Sequence, residues 1–134
     1  MDKSEDRLSY CEKVFSKQNI EFERIPAVYG KDLTESQISQ VYEKHTNKKT
    51  YKKNMSIGEI GCYMSHIKVW QKIIDEELDY AIVLEDDFIL ADNFADIHLI
   101  IQKLQNWDYI RLARPSRRVK ILESRPIYKS YELL

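Results

Sequence analysis

Residues 80–90 constrain this chain more than any other stretch. Tyr80, Ala81, Ile82, Val83 and Leu84 run into Glu85, Asp86 and Asp87, and the apolar Phe88, Ile89 and Leu90 follow. The run 81–84 has the composition of a strand covered on both faces of a sheet. Three adjacent carboxylates at its C-terminal end repel one another unless solvent, a cation or basic groups offset their charge. In open α/β sheets, ligands collect at the carboxyl ends of strands. Glu85 and Asp87, two apart in an extended segment, project to one side and Asp86 to the other. Two hard oxygen donors on one side suit Mg²⁺ or Mn²⁺, with the remaining positions left to water and phosphate oxygens. The plainer reading of the same residues is an acidic turn after a strand.

The chain has 134 residues, and we expect one domain, 1–134, with a core of its own. A hydrophobic content of 43% with 32% charged residues is that of a globular protein and excludes disorder throughout. Lys and Arg (21) nearly cancel Asp and Glu (22), so no global charge draws the chain to nucleic acid or to an anionic membrane. The distribution is uneven: residues 75–96 hold nine acids and no Lys or Arg, whereas 111–129 hold seven basic residues and one acid, Glu123. Cations facing an acidic, metal-holding loop would meet an anionic substrate there; solvated faces are the plainer alternative. Cys11 and Cys62, both in predicted helices, read as free thiols.

In chain order, 2–7 resemble a helix start, with Ser4 or Asp2 as cap, and Leu8, Cys11, Val14 and Phe15 form a helical stripe ending near Asn19. Residues 20–25 alternate as a short strand closed by Pro26. Thr34 and Gln37 carry capping-box chemistry for a helix through Ile38, Val41 and Tyr42. Residues 44–53, with five lysines, read as an exposed loop; a phosphate or nucleic-acid patch is the sharper alternative. Ser56 and Glu59 form a second capping box, opening a helix whose Ile57, Ile60, Met64, Ile67, Ile74 and Leu78 are expected to pack on a sheet. Cys62 and His66, one turn apart, have zinc-ligand spacing, but two ligands are too few, and a packed Cys with a hydrogen-bonded His is expected instead. Asp92 is the expected cap of a helix carrying Phe94, Ile97, Ile101 and Leu104, with His98 among them. Residues 107–112 read as a strand, and 119–122 and 126–131 as strands or strand-like loops.

Four blocks carry a resemblance to glycosyltransferase family 25, the group with bacterial lipopolysaccharide and lipooligosaccharide galactosyltransferases and collagen galactosyltransferases. They are 3–7, ending in Arg7; 22–33, through Pro26 and Gly30; 56–66, through Glu59 and His66 with Trp70 after it; and 82–87, ending Glu85, Asp86, Asp87. The third and fourth at this separation are the specific pair. The resemblance implies a GT-A-like α/β fold: a Rossmann-like nucleotide-sugar-binding sheet with flanking helices and a D-x-D-type acidic motif using Mn²⁺ or Mg²⁺. Carried over, the motif falls on Glu85, Asp86 and Asp87. Asp87 becomes the direct metal ligand, Glu85 joins the metal site by approaching the metal's waters or the ribose, and Arg7, His66, Glu85 and Asp86 are candidates for donor binding. It also implies a first strand and a distal half lying outside these residues, so the chain is expected to be truncated at both ends. No general base is assigned.

The function so implied is transfer of a hexose, expected to be galactose from UDP-galactose, to a lipopolysaccharide or lipooligosaccharide saccharide. Its partners are a nucleotide-sugar donor and a saccharide or glycolipid acceptor, without nucleic acid. The expected location is the cytoplasm or the cytoplasmic face of the inner membrane, with peripheral membrane association. The alternative is an inactive remnant that binds nucleotide or a partner. A haloacid-dehalogenase-type phosphatase ranks third, because its nucleophile would be an Asp where Glu85 stands.

Overall fold

In the computed structural model the described residues are 5–112, 125–128 and 131–133. The expected caps Ser4 and Asp2 and the expected strand 119–122 lie outside them. The chain divides into two compact units, Met1–Lys13 with Glu21–Phe88, and Val14–Ile20 with Ile89–Leu134.

Helix α1 (Glu5–Lys17) starts with Glu5 and Asp6 and ends with Lys17, charges that oppose the helix dipole at both ends. Cys11 and Phe15 of its stripe are buried. The helix closes with Asn19 in the left-handed region at φ 54°, the Ile20 N–H reaching the Phe15 carbonyl and the Asn19 N–H reaching Ser16. Asn tolerates that conformation better than most residues, so the stop is written locally.

In the first unit, α2 (Glu35–Val41) begins at Thr34 with both halves of its capping box formed, as expected. Residues 44–53 depart from expectation: α3 (Lys44–Thr50) is a helix, its N-cap Glu43 accepting from the N–H groups of His45 and Thr46. Lysine favours helices about as well as leucine, and a carboxylate suits a helix start. Helix α4 (Ile57–Asp75) opens on the capping box of Ser56 and Glu59 and closes with Glu77 at φ 51°, where the Leu78 N–H reaches Ile73 and the Glu77 N–H reaches Ile74. No glycine marks this stop.

The segment from Glu23 to Gly30 is laid antiparallel along α4. Lys72 Nζ lies 3.2 Å from a Glu23 carboxylate oxygen, Lys68 Nζ donates to the Pro26 carbonyl at 3.1 Å, and the Val28 N–H donates to Ser65 Oγ at 2.8 Å. Gly30 and Gly61 then meet backbone to backbone: a Cβ on Gly61 would lie 2.8 Å from the Gly30 nitrogen and from the Val28 carbonyl oxygen.

In the second unit, the helix expected to be capped by Asp92 starts later and is shorter. A 3-10 turn at Phe94–Asp96 precedes α5 (Ile97–Ile101), and Leu104 lies past its end. Gln18 takes over the work of a cap: its amide oxygen accepts from the Ala95 N–H at 3.1 Å and its nitrogen donates to the Ala91 carbonyl at 2.8 Å. Ile100 and Ile101 are buried. Strands β1 (Arg125–Tyr128) and β2 (Tyr131–Leu133) pair antiparallel, with Arg125 opposite Leu133.

The α/β expectation is therefore corrected. Among the described residues the structure is helical, with one two-stranded antiparallel hairpin and no Rossmann-like sheet. Residues 20–25, 80–84 and 107–112 join no ladder. β-branched content gives a stretch only a preference for a pleated, half-buried setting, and a strand exists when a neighbour supplies its hydrogen bonds. Ile82 and Val83, expected to be covered on both faces, are 37% and 41% exposed. The apolar stripe of α4 finds no sheet either: Ile60 is buried, but Ile57, Ile74 and Leu78 are exposed. No helix among the described residues is long and apolar enough to cross a membrane.

Candidate functional site

The acidic residues sit on an exposed turn at Asp86 and Asp87, held in the first unit between α1 and α4. On one side, Arg7 of α1 donates to Asp86 at 2.7 Å, and one helical turn later the Tyr10 ring lies 6.1 Å from that of Phe88. On the other side, His66 Nε2 of α4 lies 3.6 Å from a Glu85 carboxylate oxygen, and the Trp70 ring lies 6.3 Å from the imidazole. Successive residues 85 and 86 thus face different helices.

The structure brings Arg7, His66, Glu85 and Asp86 into one neighbourhood. Asp87 stands exposed beside them on the turn. The side chains of Arg7 and Asp86 are 55% and 43% exposed, and ion pairs so open to water are worth about 0–1 kcal/mol. Glu85, at 68%, is more open still. The fold hardly needs these contacts for stability, which leaves the carboxylates free to exchange partners.

Burial, and then the charge of Asp86, push the Cys11 thiol above its ordinary value, so Cys11 stays protonated and inert. Glu59 belongs to the helix start: the Ser56 N–H, donating to its carboxylate at 2.6 Å, holds its carboxyl below the usual value. Cys62 behaves differently. It is exposed, and it lines a cleft of about 380 Å³ formed with Val28, Tyr29, Gly30, Lys31, Ile57 and Gly58. Its Sγ, a His66 ring nitrogen and a Glu85 carboxylate oxygen all lie within 4.8 Å of one another.

This third neighbour is what sequence reasoning missed. The Cys62 and His66 spacing was legible, but Glu85 arrives from a turn 19 residues further along, and nothing in the pattern of α4 announces it. The nearest signal was the acidic cluster itself, whose partner helix could not be read.

The family described as "Glycosyltransferase family 25 (LPS biosynthesis protein)" matches residues 1–124. The chain is 30% identical over 132 residues to procollagen galactosyltransferase 2 of Homo sapiens, covering 90% of this chain and 20% of that protein. It is 32% identical over 124 residues to procollagen galactosyltransferase 1-B of Xenopus laevis, covering 86% and 20%. With lipooligosaccharide biosynthesis protein lic2B of Haemophilus influenzae it shares 38% identity over 88 residues, covering 65% and 31%. It thus spans about a fifth of the length of the procollagen relatives and about a third of the bacterial one. No solved structure matches. With the family match running over nearly all of its length, the chain belongs to glycosyltransferase family 25.

Proposed function

We propose that this chain is a metal-dependent hexosyltransferase that moves galactose from UDP-galactose to a lipooligosaccharide-type saccharide, with the donor held at the acidic turn. One observation supports this above the others: Arg7, His66 and the acidic turn 85–87 come from three separate matching blocks and converge in one unit. The donor set fits a hard divalent cation. Glu85 and Asp87 offer exposed carboxylate oxygens, while the Arg7 guanidinium already occupies Asp86. Mn²⁺ or Mg²⁺ bound to Glu85 and Asp87 would supply Lewis-acid stabilisation of the charge that develops on the departing diphosphate, a contribution of several kcal/mol. Arg7 fixes the turn by holding Asp86 and adds positive charge beside the donor phosphates. His66 orients Glu85 from the opposite side.

The acceptor assignment rests on relatives whose names point to two acceptors, collagen and lipooligosaccharide. The bacterial match has the higher identity over its span, which favours the saccharide. The working site is then the cytoplasmic face of the inner membrane, with peripheral association through the glycolipid acceptor. Incubating the protein with UDP-galactose, Mn²⁺ and either a lipooligosaccharide core or a collagen peptide tests the reading. We expect galactose on the saccharide and none when the cation is chelated. Transfer that persists in chelator, or that goes to collagen alone, would overturn it.

A further inference from the structure

We infer that Cys62, His66 and Glu85 form a three-ligand site for Zn²⁺, which shares Glu85 with the hard-cation site proposed above and would compete with it for that carboxylate. Cys62 and His66 lie one turn apart on α4, and their Sγ and ring-nitrogen atoms are within 4.8 Å of each other and of a Glu85 carboxylate oxygen. Zn²⁺ binds thiolate, imidazole and carboxylate at about 2.0–2.3 Å, which places tetrahedral ligands roughly 3.3–3.8 Å apart. The three atoms therefore need to close by about an ångström, within the reach of side-chain rotation.

The donor set decides the metal. A thiolate and an imidazole with a single carboxylate favour Zn²⁺ over Mg²⁺ or Mn²⁺, which prefer oxygen alone. Accessibility agrees with it: Cys62 is exposed and borders the cleft beside Gly30, and Glu85 is 68% exposed, so an ion can reach both. His66 Nε2 already lies 3.6 Å from Glu85, so two of the three ligands are held near each other before any ion binds. Three protein ligands leave one tetrahedral position to water. On binding, the thiol proton passes to solvent and the sulfur coordinates as thiolate.

Reduced, metal-free protein titrated with Co²⁺ and then with competing Zn²⁺ tests the site. One equivalent of Co²⁺ should give a thiolate-to-metal charge-transfer band and the visible spectrum of a tetrahedral ion, both erased by Zn²⁺ and unaffected by Mg²⁺. Cys62→Ser should abolish the charge-transfer band. His66→Gln should weaken Zn²⁺ binding at least about tenfold, since even outer-shell partners of a metal site matter that much. Cys11→Ala should change neither. In the unaltered protein, Zn²⁺ should also shield Cys62 from alkylation, a readout that needs no substitution. A charge-transfer band that survives Cys62→Ser or depends on Cys11, Zn²⁺ affinity unchanged in His66→Gln, or Cys62 alkylated at the same rate with and without Zn²⁺ would each overturn the assignment.

Discussion

Helix α4 works on two sides, and the two sides differ in kind. Toward residues 23–30 it presents Gly61, Ser65, Lys68 and Lys72, which hold the neighbouring segment by backbone contact and a ladder of hydrogen bonds. Toward the acidic turn it presents His66, half-buried, with the exposed Cys62 bridging from the cleft beside Gly30, and the contact of both with Glu85 is loose and open to solvent. The first side has one geometric job that only small or correctly placed groups can do. The second holds chemically versatile groups that the fold does not require. A single motif block therefore contains scaffold and chemistry a residue apart.

That contrast breaks most visibly at Gly30. A Cβ there would run into the Ile57 carbonyl, backbone against backbone, and cannot be relieved by rotating a side chain. Gly30→Ala should cost about 3 kcal/mol, at the upper end of overpacking effects, measured by urea unfolding. A smaller loss is expected at Ser65, whose hydroxyl accepts from the part-buried Val28 N–H and donates to the Gly61 carbonyl. Ser65→Ala should cost about 1–2 kcal/mol by leaving that N–H unsatisfied. At the acidic turn, which α1 holds from its far side, Arg7→Ala should lower stability by under about 1 kcal/mol, because its ion pair with Asp86 is open to water. The same substitution should weaken UDP binding several-fold by calorimetry. If Arg7→Ala unfolds the protein as readily as Gly30→Ala, the division between the two sides fails.

The smallest effect concerns acid. Glu59 has a lowered carboxyl in the folded state, so its contribution is present above the ordinary value of 4.5 and is lost as pH falls from there through the lowered folded value. Glu59→Gln should flatten the stability profile in that window and leave it unchanged at neutral pH apart from the altered cap. Equal acid slopes for the two proteins, followed by thermal melts, would remove Glu59 from the account.

Local signals were legible and distant ones were not. Both capping boxes, at Thr34 with Gln37 and at Ser56 with Glu59, form as their residues require, because every partner lies within three positions. The buried pair Cys11 and Phe15 follows from helical spacing. The sheet expected around 81–84 does not form, because an apolar run specifies extended backbone but cannot supply the ladder that makes it a strand. Gln18 standing in as a cap for Ala95, and Glu85 arriving beside Cys62, depend on tertiary proximity that no window of sequence contains. The acidic turn was legible as a cluster of carboxylates; which helix each one faces was not.

The most direct measurement is a calorimetric titration of UDP into the protein, with and without Mn²⁺, repeated on Asp87→Asn. Asp87 is exposed, so the variant should melt within about 0.5 kcal/mol of the unaltered protein. The acidic turn as donor site predicts binding that requires Mn²⁺ and falls at least about tenfold, or about 1.4 kcal/mol, in Asp87→Asn. Binding of equal strength without the cation and in the variant would contradict it.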